Sequence, residues 1–218
     1  PYIQMTLHNE GESIHIILLN KGHKNAIIYF GGNAESMAQS SYEIASQLPE
    51  YTVYLIDYRG YGASTGEASE EGLYSDALKL YDTVKSKHDC IAVGGRSLGS
   101  GIATYVAAHR KISILALITP FDSIINVAQE MYHIFPISFL LEDGYDSLSR
   151  IKQIKVKTLI IVAQNDNVIR RERTQKLIDA FDVGQLKVRI IPNRGHIDVS
   201  SDSTYYKIMQ DFIGKGCE

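Results

Sequence analysis

The stretch Val93-Gly94-Gly95-Arg96-Ser97-Leu98-Gly99-Ser100-Gly101 follows an apolar run and opens into Ile102-Ala103-Thr104-Tyr105. It fits the pattern Gly-x-Ser-x-Gly in a strand-to-helix setting. In such a turn the serine takes a strained backbone conformation, and Gly95 and Gly99 are needed where a Cβ would collide with the neighbouring strand or helix. The turn pushes the Ser97 hydroxyl into the open. It also aims the Leu98 N–H and a helix N-terminus at negative charge developing beside Ser97. Glycine-rich strand-to-helix turns also bind phosphate, but no Lys follows these glycines, which excludes a P-loop. The spacing of Gly94, Gly99 and Gly101 is a poor match to a dinucleotide-binding fingerprint. Ser97 is therefore a candidate nucleophile.

Outward from this turn, β-branched and aromatic runs predict eight strands at 2–7, 13–19, 25–30, 52–57, 90–94, 114–119, 158–163 and 187–191. Helical patterns fall at 34–48, 70–87, 99–110, 171–181 and 203–212. From the third strand onward the runs are short, nearly continuously apolar and separated by helix-length segments, as in a parallel sheet covered on both faces. The first two alternate and are joined by Asn9-Glu10-Gly11, which predicts an antiparallel hairpin. The fold class is thus α/β, an eight-stranded, mostly parallel sheet with helices on both faces. No repeat or linker divides residues 1–218, which read as a single domain. Residues 120–156 lack a good strand and gather Phe121, Met131, Tyr132, Ile134, Phe135, Phe139, Leu140 and Leu141. They form either a minimal cap or a cluster packed on the sheet edge.

A serine hydroxyl is a weak nucleophile and needs a base, and the base needs an orienting group. His196, in Asn193-Arg194-Gly195-His196-Ile197-Asp198 after the last strand, is placed over the same sheet edge as Ser97. His8, His15, His23, His88, His109 and His133 have no comparable location. Asp166, in Gln164-Asn165-Asp166-Asn167-Val168, follows the seventh strand and is the candidate acid. Asp122 is its rival, and Asp198 reads as a loop brace. The order Ser, acid, His suits this turn. A second oxyanion donor beside the Leu98 N–H is expected from Tyr29-Phe30-Gly31-Gly32-Asn33-Ala34, through the N–H of Asn33, although two glycines also make an ordinary turn.

Composition narrows the partners. The chain is 44% hydrophobic and 22% charged with a net charge of −3, so it has no general attraction to nucleic acid or anionic lipid. Cys90 and Cys217 are the only cysteines, far apart in sequence, which predicts neither a disulfide framework nor a zinc site. Free thiols would place the chain in a reducing compartment, the cytoplasm. The apolar runs are too short to cross a bilayer, and the start at Pro1 is compatible with a removed signal or anchor. The sequence sets no oligomeric state.

Five ordered motifs together resemble the α/β-hydrolase superfamily, closest to its small serine hydrolases, which include protein depalmitoylases and bacterial esterases. They are Asp57-Tyr58-Arg59-Gly60-Tyr61-Gly62-Ala63-Ser64-Thr65-Gly66, the Ser97 turn, Pro120-Phe121-Asp122-Ser123, Tyr145-Asp146-Ser147-Leu148 and Gly195-His196. The resemblance spans nearly the whole chain. It implies serine esterase or thioesterase activity on a small-molecule or acylated substrate, with Ser97, Asp166 and His196 as triad, Leu98 and Asn33 as oxyanion donors, and no cofactor or metal. Similar proteins usually have His-Gly-Asn where this chain has Gly31-Gly32-Asn33, so the loop is expected to lose a brace and activity to be lower. Depalmitoylases of this group carry a Cys-rich, lipidated N-terminus that is absent from these residues, so membrane-bound palmitoylated substrates are not supported. Two rival readings are an oligopeptidase-like hydrolase and a binding module that keeps the fold without the chemistry.

Overall fold

Side-chain alternation decides which way each strand faces. In β3 (Asn25–Phe30), Ala26, Ile28 and Phe30 join one buried cluster, while Ile27 and Tyr29 join another on the opposite face. Such a strand needs neighbours on both edges and helices above and below. A computed structural model, which describes residues 2–33, 35–131 and 143–217, supplies both.

The other strands are β1 (Ile3–Asn9), β2 (Glu12–Leu19), β4 (Thr52–Ile56), β5 (Cys90–Arg96), β6 (Ile114–Ile118), β7 (Lys157–Ala163) and β8 (Leu186–Ile191). They form one sheet in the order β1-β2-β4-β3-β5-β6-β7-β8. β1 and β2 are the expected hairpin, Asn9 facing Glu12 across Glu10 and Gly11, both at positive φ. β2 also runs antiparallel to β4, and every remaining pair is parallel. The sheet is therefore mostly parallel, as its buried apolar runs require.

Among the described residues six α-helices flank it. α1 (Met37–Gln47) and α6 (Tyr205–Cys217) cover one face; α2 (Glu70–Val84), α3 (Leu98–His109), α4 (Ile124–Met131) and α5 (Arg171–Ala180) contribute to the core on the other. α1 starts later than the apolar pattern suggests because Ser36 caps it, its side chain accepting the Gln39 N–H. Ser69 caps α2, with Glu70 and Glu71 in the first turn complementing the helix dipole. β4 and β5 lie on opposite sides of β3, with α1 and α2 on opposite faces. This reversal leaves a crevice at the carboxyl ends of β3 and β5, where Phe30 pairs with Gly95.

Between β6 and β7 the described residues hold α4 and a 3-10 turn, Leu148–Gln153. Phe121 is fully buried in the main core. The side chain of Met131 and the residues Tyr132, Ile134, Phe135, Phe139, Leu140 and Leu141 lie outside the described residues. No helix among the described residues is long and apolar enough to cross a membrane.

One expectation is overturned. Cys90 and Cys217 are joined in a disulfide across 127 residues of sequence, with Cα atoms 5.6 Å apart. Sequence distance concealed spatial proximity: α6 runs back across the sheet and brings its last residue to the first residue of β5. The compartment reading that rested on free thiols loses that support. Closing so long a loop restricts the unfolded chain. Reduction, or a Cys90→Ser/Cys217→Ser double variant, is expected to lower the thermal midpoint by about 5–15 °C. Calorimetry with and without dithiothreitol checks this, and an unchanged midpoint with two titratable thiols would contradict it.

Candidate active site

Ser97 sits between β5 and α3 with φ 50° and ψ −118°. Two close approaches explain its glycine neighbours. A Cβ on Gly95 would overlap the Gly99 carbonyl, and one on Gly99 would overlap the Phe30 carbonyl at the end of β3. The strained residue is held on both sides, its N–H donating to the Ile118 carbonyl at 2.9 Å and its carbonyl accepting the Ser100 hydroxyl at 2.6 Å. Leu98, as the first residue of α3, belongs to the turn whose N–H groups lack intrahelical partners.

The loops after β7 and β8 converge on this serine. His196 Nε2 lies 2.9 Å from Ser97 Oγ, and His196 Nδ1 lies 2.8 Å from Asp166 Oδ2. Asp166 Oδ1 accepts the N–H groups of Val168 and Ile169 at 3.0 and 2.8 Å, which fixes the carboxylate and leaves Oδ2 to the imidazole. With Nδ1–H donated to Asp166, Nε2 presents its lone pair to the serine hydroxyl. The two loops are tied together by the Asn165 N–H donating to the Arg194 carbonyl at 2.8 Å. Asp198 accepts the Gly195 N–H at 2.8 Å, which holds its pKa below the usual carboxylate range and shapes the histidine loop.

Asp122 is engaged elsewhere. It is fully buried, with Oδ1 taking the Ser123 N–H at 2.8 Å and Oδ2 taking Asn126 and Arg173, each at 3.0 Å. Its carbonyl receives the N–H groups of Ser147 and Leu148. Asp122 thus joins α4, α5 and the turn before β7. His15 and Asp57 form a second pair at 2.8 Å, but the remaining ring nitrogen of His15 has no hydrogen-bond partner among the described residues.

Around Gly31-Gly32-Asn33 the structure supplies braces that the sequence pattern did not reveal. The Tyr58 hydroxyl, kept protonated by burial and by the nearby Glu35 charge, donates to the Gly31 carbonyl at 2.7 Å. The Gly32 N–H donates to Glu35 Oε2 at 2.8 Å, and the Tyr29 hydroxyl bonds the same carboxylate. Arg96 lies 3.9 Å from Glu35 and donates to the carbonyls of His196 and Ile197 at 3.0 and 2.7 Å. Burial opposes the Arg96 charge, but the Glu35 carboxylate and the surrounding tyrosine oxygens of Tyr29, Tyr205 and Tyr206 together outweigh it and raise its pKa. One linked set of polar groups therefore joins the loops after β3, β5 and β8. The only hint in the sequence was an Arg directly preceding the serine.

Ser97, Leu98 and Asn33 open onto a cleft of about 610 Å³ whose walls include Ile56, Leu73, Ile124, Val127 and Ile169. No group of three or more His, Cys, Asp or Glu among the described residues has the placement to hold a metal ion. The site offers an oriented hydroxyl beside a base, with backbone donors and an apolar wall.

The model of the family described as alpha/beta hydrolase fold matches residues 25–137. An uncharacterized protein of Mycobacterium tuberculosis is 31% identical over 182 residues, 81% of this chain and 64% of that protein. YfhR of Escherichia coli K12, also uncharacterized, is 30% identical over 200 residues, 86% of this chain and 69% of that protein. Lysophosphatidylserine lipase ABHD12 of Bos taurus is 30% identical over 226 residues, 87% of this chain and 56% of the lipase. The chain thus spans under two thirds of the mycobacterial relative and of the lipase. Among solved structures, esterase Pf2001 of Pyrococcus furiosus has a TM-score of 0.79 at 16% identity, covering 100% of this chain and 93% of that one. The enol-lactonase of Burkholderia xenovorans has a TM-score of 0.76 at 16% identity, covering 96% and 100%. At these identities the structural likeness concerns the fold.

The brace is testable through Glu35. Glu35→Ala frees the Gly32 N–H and is expected to slow labelling of Ser97 by a fluorophosphonate about ten-fold or more. Glu35→Gln keeps an acceptor for that N–H and is expected to retain most of the rate. Equal rates for wild type and the folded Ala variant would remove Glu35 from the site.

Proposed function

The chain belongs to the α/β-hydrolase fold family, and on that premise we propose that it is a serine hydrolase cleaving a carboxylic ester or thioester through an acyl-enzyme intermediate. The observation that carries this reading is the hydrogen-bonded series Ser97, His196, Asp166 at a strained strand-to-helix turn. His196 Nε2 takes the Ser97 proton as Oγ attacks the carbonyl carbon, and the carbonyl π electrons move to oxygen. The Leu98 and Asn33 N–H groups receive that oxyanion. As the intermediate collapses, the imidazolium gives its proton to the departing alkoxide or thiolate. Water then loses a proton to His196, attacks the acyl carbon and releases the acid and free Ser97. Asp166 holds the tautomer and stabilises the imidazolium throughout.

A relative named as a lipase and a structural neighbour named as an esterase favour an acyl ester over a peptide bond. The apolar cleft favours an acyl chain. The binding-module reading drew on the missing side chain at residue 31. Tyr58 and Glu35 offer that loop support by another route, which favours chemistry.

A fluorophosphonate probe tests the reading. Wild type is expected to label, Ser97→Ala not at all, and His196→Ala at least about 10³-fold more slowly. Hydrolysis of 2-nitrophenyl octanoate is expected to follow the same order. Ester turnover at the wild-type rate by folded Ser97→Ala would refute the assignment.

A further inference from the structure

Two long stretches of the chain contain no Lys or Arg: residues 25–58 and residues 112–149. The first carries Glu35, Glu43, Glu50 and Asp57, and the second carries Asp122, Glu130, Glu142, Asp143 and Asp146. Folding brings both stretches to the cleft beside Ser97, where they supply Glu35, Asp57 and Asp143 to its lining. No Lys or Arg is among the described lining residues.

The nearby arginines are committed elsewhere. Arg59 is paired to Asp76 and Glu10 at 2.7 Å each. Arg150 pairs with Glu70 and lies over the Tyr74 ring, and Arg173 pairs with Asp122 and Glu130. Arg96, beside Glu35, directs its guanidinium to the His196 and Ile197 carbonyls. At the cleft, by contrast, among the described residues Asp57 meets only an imidazole as possible counter-charge, and Asp143 accepts the Glu70 N–H, a neutral donor. The cleft therefore combines apolar walls with carboxylates of one sign. A fixed charge of one sign in a low-dielectric crevice repels ligands of the same sign.

We propose that this cleft selects esters or thioesters of an apolar acyl group whose alcohol or thiol half is neutral or cationic. It discriminates against substrates with a carboxylate or phosphate near the scissile bond, with Asp57 and Asp143 setting the preference. This rests on the serine-hydrolase reading above. The apolar walls hold the acyl chain, and the carboxylates exclude the like-charged partner, a form of selection by repulsion.

A matched pair of chromogenic esters tests it: 2-nitrophenyl octanoate and 4-nitro-3-(octanoyloxy)benzoic acid, which share acyl chain and scissile bond and differ by one ring carboxylate. Each kcat/KM is divided by that ester's hydroxide rate constant. At low ionic strength the neutral ester is expected to be preferred about ten-fold or more. The preference is expected to shrink as NaCl is raised to about 0.5 M, where screening shortens to a few ångströms. It is also expected to shrink in Asp143→Asn and in Asp57→Asn. The salt series needs no variant, so a misfolded Asp57→Asn does not weaken the test. Turnover of the neutral ester that requires Ser97, with a ratio near one at every salt concentration, would overturn the charge selection alone. If neither ester is cleaved and Ser97 does not label, the hydrolase reading fails and this proposal fails with it.

Discussion

Everything in the site follows from the backbone of one residue. A non-glycine residue at positive φ costs about 1–2 kcal/mol, and Ser97 bears that cost where β5 ends and α3 begins. No local force favours it. The conformation persists because the end of β3 presses on Gly99, the first turn of α3 presses on Gly95, and the Ile118 carbonyl accepts the Ser97 N–H. Larger side chains at 95 or 99 would push the helix off the sheet. The same crowding points Oγ outward and leaves the N-terminus of α3 facing the cleft. A strained residue whose surroundings over-determine it marks a site where geometry has been kept at the expense of stability.

A parallel sheet whose strand order reverses between β3 and β5 brings four loops to one edge, but proximity alone does not set distances to a few tenths of an ångström. Here hydrogen bonds between loops do so. Asp166 is fixed by its own turn before it meets His196, and the Asn165 bond to Arg194 sets the two loops against each other. Arg96 reaches from the Ser97 turn to the histidine loop on one side and to Glu35 on the other. Glu35 in turn holds the Gly32 N–H. A planar guanidinium with several fixed donors suits this bridging position better than a lysine would.

The strands were legible because burial on both faces leaves a continuous apolar run, and the hairpin because two alternating runs are joined by a short turn in which Gly11 permits positive φ. Ser97 was legible because the constraint on it is local, with both glycines within two residues. His196 and Asp166 could be assigned to one sheet edge from their positions after strands, since topology carries long-range information there. The bonds of Glu35, Tyr58 and Arg96 were not legible: they join residues up to 101 apart through side chains whose reach no pattern encodes. The disulfide escaped for the same reason. Two cysteines 127 residues apart carry no spacing signal, and only the return of α6 across the sheet makes them neighbours.

That disulfide and the Arg96 bridge lie at opposite ends of the same strand. β5 begins at Cys90, bonded to the last residue of α6, and ends at Arg96, whose guanidinium bears on the loops around the cleft. α6 also brings Tyr205, Tyr206 and Met209 to a small cavity that shares Tyr29, Glu35 and Arg96 with the back of the site. The helix is therefore joined to β5 at its start by a covalent bond and faces its last residue, Arg96, across that small cavity. A strand held at both ends has little freedom to slide or tilt, and the turn it feeds inherits that rigidity. Strain at Ser97 can be maintained because the element before it is anchored and the helix after it is buried against the sheet, so relaxation of the turn would require moving one of the two.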